Sequence, residues 1–463
     1  MSANAAPTAD PTSVSSALSP RTRAMIESSV LATLLRLAAP NLLFVVSQAV
    51  VSIGETYFVG WLGVDALAAV SLVFPVLMVM QTMSAGGIGS GIASAISRAL
   101  GGGRRDDANA LVLVSLVIAA CFGAAFTAAV LLGGRTLFAA MGGTGVALEL
   151  ADTYALILFS GALLFWIFNS FGSILRGAGI MSLPAIVSVI GAMMTLTVSP
   201  TLIMGLGPVP RLGIAGAAFA ILAYYSVGAI ILGSFLLSGR APVRLVLAVP
   251  AQWRLYRDVL RVGLPGALSS IVSNSAILVF TGLVGPFGTK AIAGYGVGAR
   301  LEYLQIPIVF GLGMALVTMV GTNVGAGLDA RAKQAAWTGA AIAGCISGAI
   351  GLLLAAAPHL WIDIFSQDAD VYAAGSRYFR IVGPTYSLYG VGLALFFAAQ
   401  GAGRPMWPLV FGVGRLVLTG VGGVLAVSWF GGSLDSIYAL MAAGLLLLGI
   451  GNALSVYFAN WRE

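Results

Sequence analysis

Residues 35–40, Leu35-Arg36-Leu37-Ala38-Ala39-Pro40, and residues 260–265, Leu260-Arg261-Val262-Gly263-Leu264-Pro265, open two copies of one pattern. The prolines set the offset, 265 − 40 = 225, and the same offset lays Val59-Gly60 on Val284-Gly285, Gly63 on Gly288, Gly86 on Gly311 and Gly102 on Gly327. Further on, Gly177-Ala178-Gly179 meets Gly401-Ala402-Gly403 at 401 − 177 = 224, and Pro184 meets Pro408, which is the drift of one loop deletion. A repeat of about 200 hydrophobic residues is too long for a solenoid unit. It fits a transporter built from two similar bundles.

Composition identifies the solvent. The chain is 59% hydrophobic and 8% charged, with a mean hydropathy of +1.00, whereas soluble domains carry about 25% charged residues. Stretches long enough to cross a bilayer, about 20 residues, run over 31–59, 66–97, 109–133, 151–174, 182–206, 213–238, 262–286, 291–322, 335–357, 378–400, 406–429 and 436–460. Continuous Ala/Leu/Gly-rich runs favour helices over the alternating strands of a barrel. The expected fold is therefore an all-α polytopic membrane protein with 12 transmembrane helices in two pseudo-symmetric six-helix bundles. Its parts are a disordered tail over 1–30, a bundle over 31–238, a cytoplasmic linker over 239–261 and a second bundle over 262–460. Gly86, Gly87, Gly89 and Gly91 predict a close helix contact, since small residues let helices approach in lipid.

Arginine placement predicts orientation. Arg21, Arg23, Arg36, Arg98, Arg104, Arg105, Arg176, Arg240, Arg244, Arg254, Arg257, Arg261, Arg331, Lys333, Arg404 and Arg462 fall on one side, against mainly Arg135, Arg211 and Lys290 on the other. Both termini are expected in the cytoplasm. That bias accounts for the net charge of +7 without any nucleic-acid surface. Cys121 and Cys345 hold matching mid-helix places where packing is the expected role. The lone His359 sits at a predicted interface. There is no HExxH, GxSxG or Walker loop. The chain does not read as an enzyme, and no cofactor is implied.

The informative residues are polar ones inside apolar spans. On the first helix Asn41, Gln48, Ser52 and Glu55 are spaced by seven, four and three, which places them on one face that should line a cavity. Glu55 lies roughly 9 Å below the helix end at Trp61 at 1.5 Å per residue. An ionised carboxylate at that depth is costly, so it should take a proton or bind a cation such as sodium. On the fifth helix Ser188, Thr195 and Ser199 form a similar stripe before Pro200. Their hydroxyls and the carbonyls freed by the proline can serve a cation site, or the hydroxyls can bond back to their own helix. The halves differ electrostatically: at the offset of 225 Glu55 maps to Phe280, and Glu302 maps to Leu77. Glu302 and Arg300 read as a structural ion network, or as substrate contacts, although a spacing of two puts each in need of a partner from another helix. The seventh helix adds Asn274 to a neutral polar lining.

The two six-helix repeats, the segment Glu55-Thr56-Tyr57-Phe58-Val59-Gly60-Trp61-Leu62-Gly63, the segment Gly321-Thr322-Asn323-Val324-Gly325-Ala326-Gly327 and the pair Arg176-Gly177-Ala178-Gly179 and Gln400-Gly401-Ala402-Gly403-Arg404 resemble the multidrug and toxic compound extrusion (MATE) family over about residues 31–460. Arg300-Leu301-Glu302 is similar to its DinF-like branch. The resemblance implies a cation site at Glu55, where the family usually has Asp before Thr, with Thr195 and Ser199 at fifth-helix places commonly held by Asn and Asp. The second carboxylate is thus absent, which suits a proton somewhat better than sodium.

The expected function is a monomeric antiporter of a bacterial cytoplasmic (inner) membrane, exporting small amphipathic or cationic organic compounds against protons or sodium. Asn41, Gln48, Ser52, Ser188, Asn274 and Glu302 would line the substrate cavity. Two alternatives stand beside it. A flippase for lipid-linked precursors should present several cavity arginines, whereas mainly Arg300 reads as deep. A passive channel or receptor should repeat its polar rings in both halves.

Overall fold

A computed structural model describes residues 19–207, 209–246 and 252–461. The N-terminal half comprises α1 (Val30–Gly60), α2 (Val64–Gly101), α3 (Arg105–Ala140), α4 (Gly145–Ser160 followed by Ala162–Gly177), α5 (Ser182–Met204) and α6 (Ile214–Leu237). The C-terminal half repeats the order with α7 (Trp253–Phe287), α8 (Thr289–Gly325), α9 (Asp329–Ala356), α10 (Ala369–Gly401), α11 (Met406–Phe430) and α12 (Leu434–Phe458). Eleven are long and apolar enough to span a bilayer, and the two pieces of α4, bent by 48°, make the twelfth. The described residues contain no strand. The chain is a multi-pass, all-α membrane protein.

Three expectations need correction. The disordered tail over 1–30 lies outside the described residues up to 18, but Pro20–Glu27 is a helix, started by Ser19 and Pro20. Its buried Thr22 and Met25 anchor it, and the Met25 carbonyl accepts from Asn323 Nδ2 at 3.2 Å. The linker expected over 239–261 is shorter, because α7 begins at Trp253 with Leu255 and Val259 already buried. Residues 247–251 of that linker, and Arg462, lie outside the described residues. Finally, Pro200 does not break α5, which continues to Met204. A proline is more easily carried in a membrane helix, where neighbours compensate for the lost bond.

The bilayer frame is visible in exposed tryptophans, which favour the two interfaces. Trp253 and Trp407 mark one end of the bundle and Trp61 and Trp429 the other. Cys121 and Cys345 are both free and exposed on helix surfaces rather than packed.

The halves meet tightly at the arginine-bearing end. α2 passes through a π-helical turn at Met83–Ile88 and then packs on α7 and α8. A Cβ on Gly87 would stand 2.6 Å from the Ala267 nitrogen, and one on Gly91 2.5 Å from the Val259 carbonyl. Gly101 rests on the Thr322 backbone and Gly325 on the Arg98 backbone still more closely. Side chains stitch the same seam. Ser94 Oγ donates to the Gln400 carbonyl at 2.5 Å, Thr318 Oγ1 to the Arg176 carbonyl at 3.0 Å and Asn41 Nδ2 to the Gly311 carbonyl at 3.2 Å. Arg98 reaches Asp258 at 2.6 Å. At the opposite ends Gly285 and Gly288 meet nothing. The seam contacts seal the arginine-bearing end of the bundle.

Candidate functional site

Glu55 is buried near the last turns of α1 and accepts a hydrogen bond from the Tyr154 hydroxyl on α4. It lies on the wall of a cavity of about 280 Å³ whose lining comes entirely from α1, α2, α4 and α6. Gln48 and Ser52 line this cavity with it, and so do Gln81, Tyr154 and Tyr225. Tyr224 donates to Gln48 at 3.1 Å and packs on Tyr225 with 4.8 Å between ring centroids. Apart from Thr56 the remaining wall is apolar, including Val70, Phe74, Leu77 and Met78. The lining holds one carboxylate and no basic side chain. The site thus presents a single acid, neutral oxygens and aromatic faces.

The other candidates are dispersed. Asn41 sits lower on α1 in the seam, bonded to Gly311 and to its own helix at Leu37. On α5, Ser188, Thr195 and Ser199 are buried but line none of this cavity, and Thr195 Oγ1 bonds back to the Gly191 carbonyl at 2.9 Å. Asn274 on α7 is taken up by the Ser270 carbonyl at 2.8 Å. The described residues include no cluster of three His, Cys, Asp or Glu side chains. Any sodium at Glu55 would therefore have one carboxylate, with hydroxyl and amide oxygens around it.

Arg300 and Glu302 do not pair. Arg300 is exposed and its guanidinium lies over Phe365 at 4.9 Å. Glu302 turns into the C-terminal half, where the Tyr378 hydroxyl donates to it at 2.6 Å and Arg415 Nη2 approaches at 3.4 Å. Tyr378 is also within 3.1 Å of the Tyr386 hydroxyl. The arginine buried beside Glu302 is Arg415 on α11, packed against Phe280 and Tyr389, each ring centroid 5.5 Å from its guanidinium carbon. A residual space of about 20 Å³ remains between these groups.

Sequence reasoning missed Tyr154, Tyr378 and Arg415. A signal was present, since 378 − 154 = 224 places the two tyrosines in register across the repeat. The repeat also explains the seam: the Gly321–Gly327 segment and the paired Gly-Ala-Gly segments all sit there.

The MatE family model matches twice, over residues 40–201 and 265–425, with starts offset by 265 − 40 = 225. The chain belongs to the MATE family. Among its relatives is the FAD transporter of Shewanella oneidensis, 28% identical over 421 residues, 90% of this chain and 92% of the relative. The probable multidrug resistance protein YoeA of Bacillus subtilis is 27% identical over 387 residues, 81% of this chain and 82% of the relative. A Pyrococcus furiosus transporter of the MOP superfamily, described as having a binding pocket of reverse polarity, superposes with a TM-score of 0.85 at 25% identity over 95% of this chain and 98% of that one. A MATE structure in the bent conformation reaches 0.88 at 24% identity over 95% and 97%, which shows the fold alone. MATE transporters handle small organic substrates, so this chain is a transporter of that class.

Proposed function

We propose that this MATE transporter, of the DinF-like branch, acts as a monomeric antiporter in a bacterial cytoplasmic membrane. It exports amphipathic, cationic organic compounds in exchange for protons or sodium ions, with Glu55 as the coupling residue and both termini in the cytoplasm. The observation that carries the reading is the single carboxylate, Glu55, on the wall of an otherwise uncharged aromatic and apolar cavity of about 280 Å³. A buried acid of this kind can be neutralised either by a small cation or by an organic one, and the two compete for it.

Exchange needs two states and a cation that favours one of them. The sealed end is the arginine-rich one, which the positive-inside rule puts in the cytoplasm, and in the proposed cycle this state takes up its cation at Glu55 from outside. Cation entry would neutralise Glu55, free a cationic substrate and favour closure on that side. A proton suits the site better than sodium, because one carboxylate with a phenol and amides offers little compensating charge to a dehydrated metal ion. The count of cavity arginines disfavours a flippase: the Glu55 cavity has none, and Arg415 is already paired with Glu302. The same absence disfavours export of a diphosphate such as FAD through this cavity.

The test is transport of a cationic dye in proteoliposomes under separately imposed proton and sodium gradients. Wild type should concentrate the dye under the coupling gradient, and Glu55→Gln should abolish gradient-driven accumulation. Unchanged accumulation by Glu55→Gln would overturn the assignment, and preferential accumulation of FAD would overturn the substrate class.

A further inference from the structure

The two halves place the same hydroxyl against a glutamate, but they differ in what else the glutamate touches. Tyr154 and Tyr378 correspond at 378 − 154 = 224, and each donates to a buried or half-buried acid. In the N-terminal half that acid stands on the first helix of the repeat, as Glu55. In the C-terminal half the corresponding place is Phe280, since 280 − 55 = 225, and the acid stands on the second helix as Glu302. Over the Phe280 face lies the Arg415 guanidinium, whose other contacts are Glu302 and Tyr389. The counterpart of Arg415 at 415 − 224 = 191 is Gly191, which has no side chain to reach anything.

We propose that Arg415 is a tethered cation that permanently occupies the C-terminal counterpart of the coupling site, and so limits the chain to one exchangeable cation per transport cycle. The inference rests on the reading of Glu55 as the N-terminal coupling site. Three observations carry it. A guanidinium keeps its charge at all accessible pH values, so the Glu302–Arg415 pair stays neutral overall without help from solution. Tethering gives Arg415 an effective concentration that a dissolved ion does not match. The remaining space, about 20 Å³, has the size of a single water, against about 280 Å³ beside Glu55. Removing the arginine should empty a place large enough for an ion and leave Glu302 and Tyr378 to bind one.

Other titratable groups around Glu302 are Tyr295 on its own helix, Tyr378, Tyr386 and Tyr389 on α10, and Tyr438 on α12 against Tyr378. All of these are phenols.

The test uses full-length protein. Thermal midpoints are measured from pH 5 to 9, with sodium or choline chloride, for Glu55→Gln, Glu55→Gln with Arg415→Met, and that pair with Glu302→Gln added. The middle variant should gain a pH- or sodium-dependent midpoint that the other two lack. In proteoliposomes, Arg415→Met alone should move from one to two cations per substrate, whereas Arg415→Lys should remain at one. Should Arg415→Met fail to fold, Arg415→Met with Glu302→Gln removes both charges and should transport with one cation per substrate. The proposal is overturned if folded Arg415→Met protein gains no cation dependence, or if the doubly neutral variant no longer transports, which would put the pair in the substrate path. Failure of the Glu55 reading looks different: Glu55→Gln alone would then keep the wild-type cation dependence.

Discussion

Asp258→Asn should loosen the sealed end by a calculable amount. Arg98 leaves the last turns of α2, donates to Asp258 on α7 at 2.6 Å and to Ser94 Oγ, and reaches the Gly401 carbonyl at 3.4 Å. It therefore joins one half to two helices of the other. In an alternating-access cycle the halves would part here, so the bonds to Asp258 and Gly401 would exist in one state and be lost in the other, whereas Ser94 lies on α2 itself. Arg98 is 11% exposed but Asp258 is 37% exposed, which discounts the pair toward surface values. Losing the charge on Asp258 should cost the sealed state about 1 kcal/mol, a shift of about 5-fold between states. Arg98→Ala also removes the bond to the Gly401 carbonyl across the seam and should cost about 2 kcal/mol, or roughly 30-fold. The assay is pulsed electron–electron distance measurement between spin labels at exposed Arg105 and Ala330, on either side of the seam, with Cys121 and Cys345 replaced. Wild type should give mainly the short distance, and the longer one should grow in the order wild type, Asp258→Asn, Arg98→Ala. The charge swap Arg98→Asp with Asp258→Arg should return part of the short population. If Arg98→Ala leaves the distances unchanged, the seam is held by glycine packing alone and the reasoning fails.

Gly325→Ala tests that packing directly, because its Cβ would press on the Arg98 carbonyl, a backbone atom that cannot swing aside. Overpacking of this kind costs about 1–3 kcal/mol, so the same labels should report the longer distance, while Gly412→Ala, with open space around it, should not. Tyr154→Phe removes the one hydrogen-bond donor recorded at Glu55 and should slow gradient-driven export about 10-fold, within the range of about 1–3 kcal/mol for an unsatisfied buried partner. Tyr378→Phe should do less, because Arg415 remains on Glu302, and initial rates in proteoliposomes compare the two. At the surface, Lys290 and the backbone amides of Asp370 and Val371 hold the Asp368 carboxyl below its usual value of 3.8. Its contribution is therefore present above pH 3.8 and is lost as the pH falls through the lower folded value. Thermal midpoints of wild type and Asp368→Asn should converge as the pH drops below about 4 and differ above it.

The spans were legible because each is a long apolar run, and lipid imposes one helical solution on such runs. What composition hid lay at the ends. The helix Pro20–Glu27 is polar, and only docking of Met25 against Asn323 and Gly179 orders it. The early start of α7 was hidden by Arg254, Arg257 and Asp258; the charges of Arg254 and Asp258 serve the neighbouring loop and the seam rather than lipid. At the site, Glu55 could be found because an acid in an apolar run is conspicuous by its cost. Tyr154 could not be singled out in the same way, since a helical tyrosine usually packs, and its hydroxyl acquires meaning only when α4 is laid against α1. Thr195 failed for a related reason: spacing puts a hydroxyl on a face, but the helix's own carbonyl four residues back competes for it.

The comparison of halves turns this into an argument about asymmetry. Two equal sites in the two halves would demand two cations for each turnover. Retention of the tyrosine in both halves, at Tyr154 and Tyr378, preserves the frame that orients an acid. Moving the acid from the first helix to the second, and facing it with Arg415, removes one half from exchange without opening a void in the bundle. The vacated position is filled by Phe280, which is itself the surface on which the guanidinium rests. Three differences between the halves that look unrelated along the chain, Phe280 in place of a glutamate, Glu302 in place of a leucine and Arg415 in place of a glycine, therefore belong to one arrangement. They should be separable only at a cost: Arg415→Met alone leaves a buried unpaired carboxylate, about 3–5 kcal/mol worse than the pair, while removing both charges together should be close to neutral. A double-mutant cycle on thermal stability reads that coupling, and additive effects of Glu302→Gln and Arg415→Met would sever the link between them.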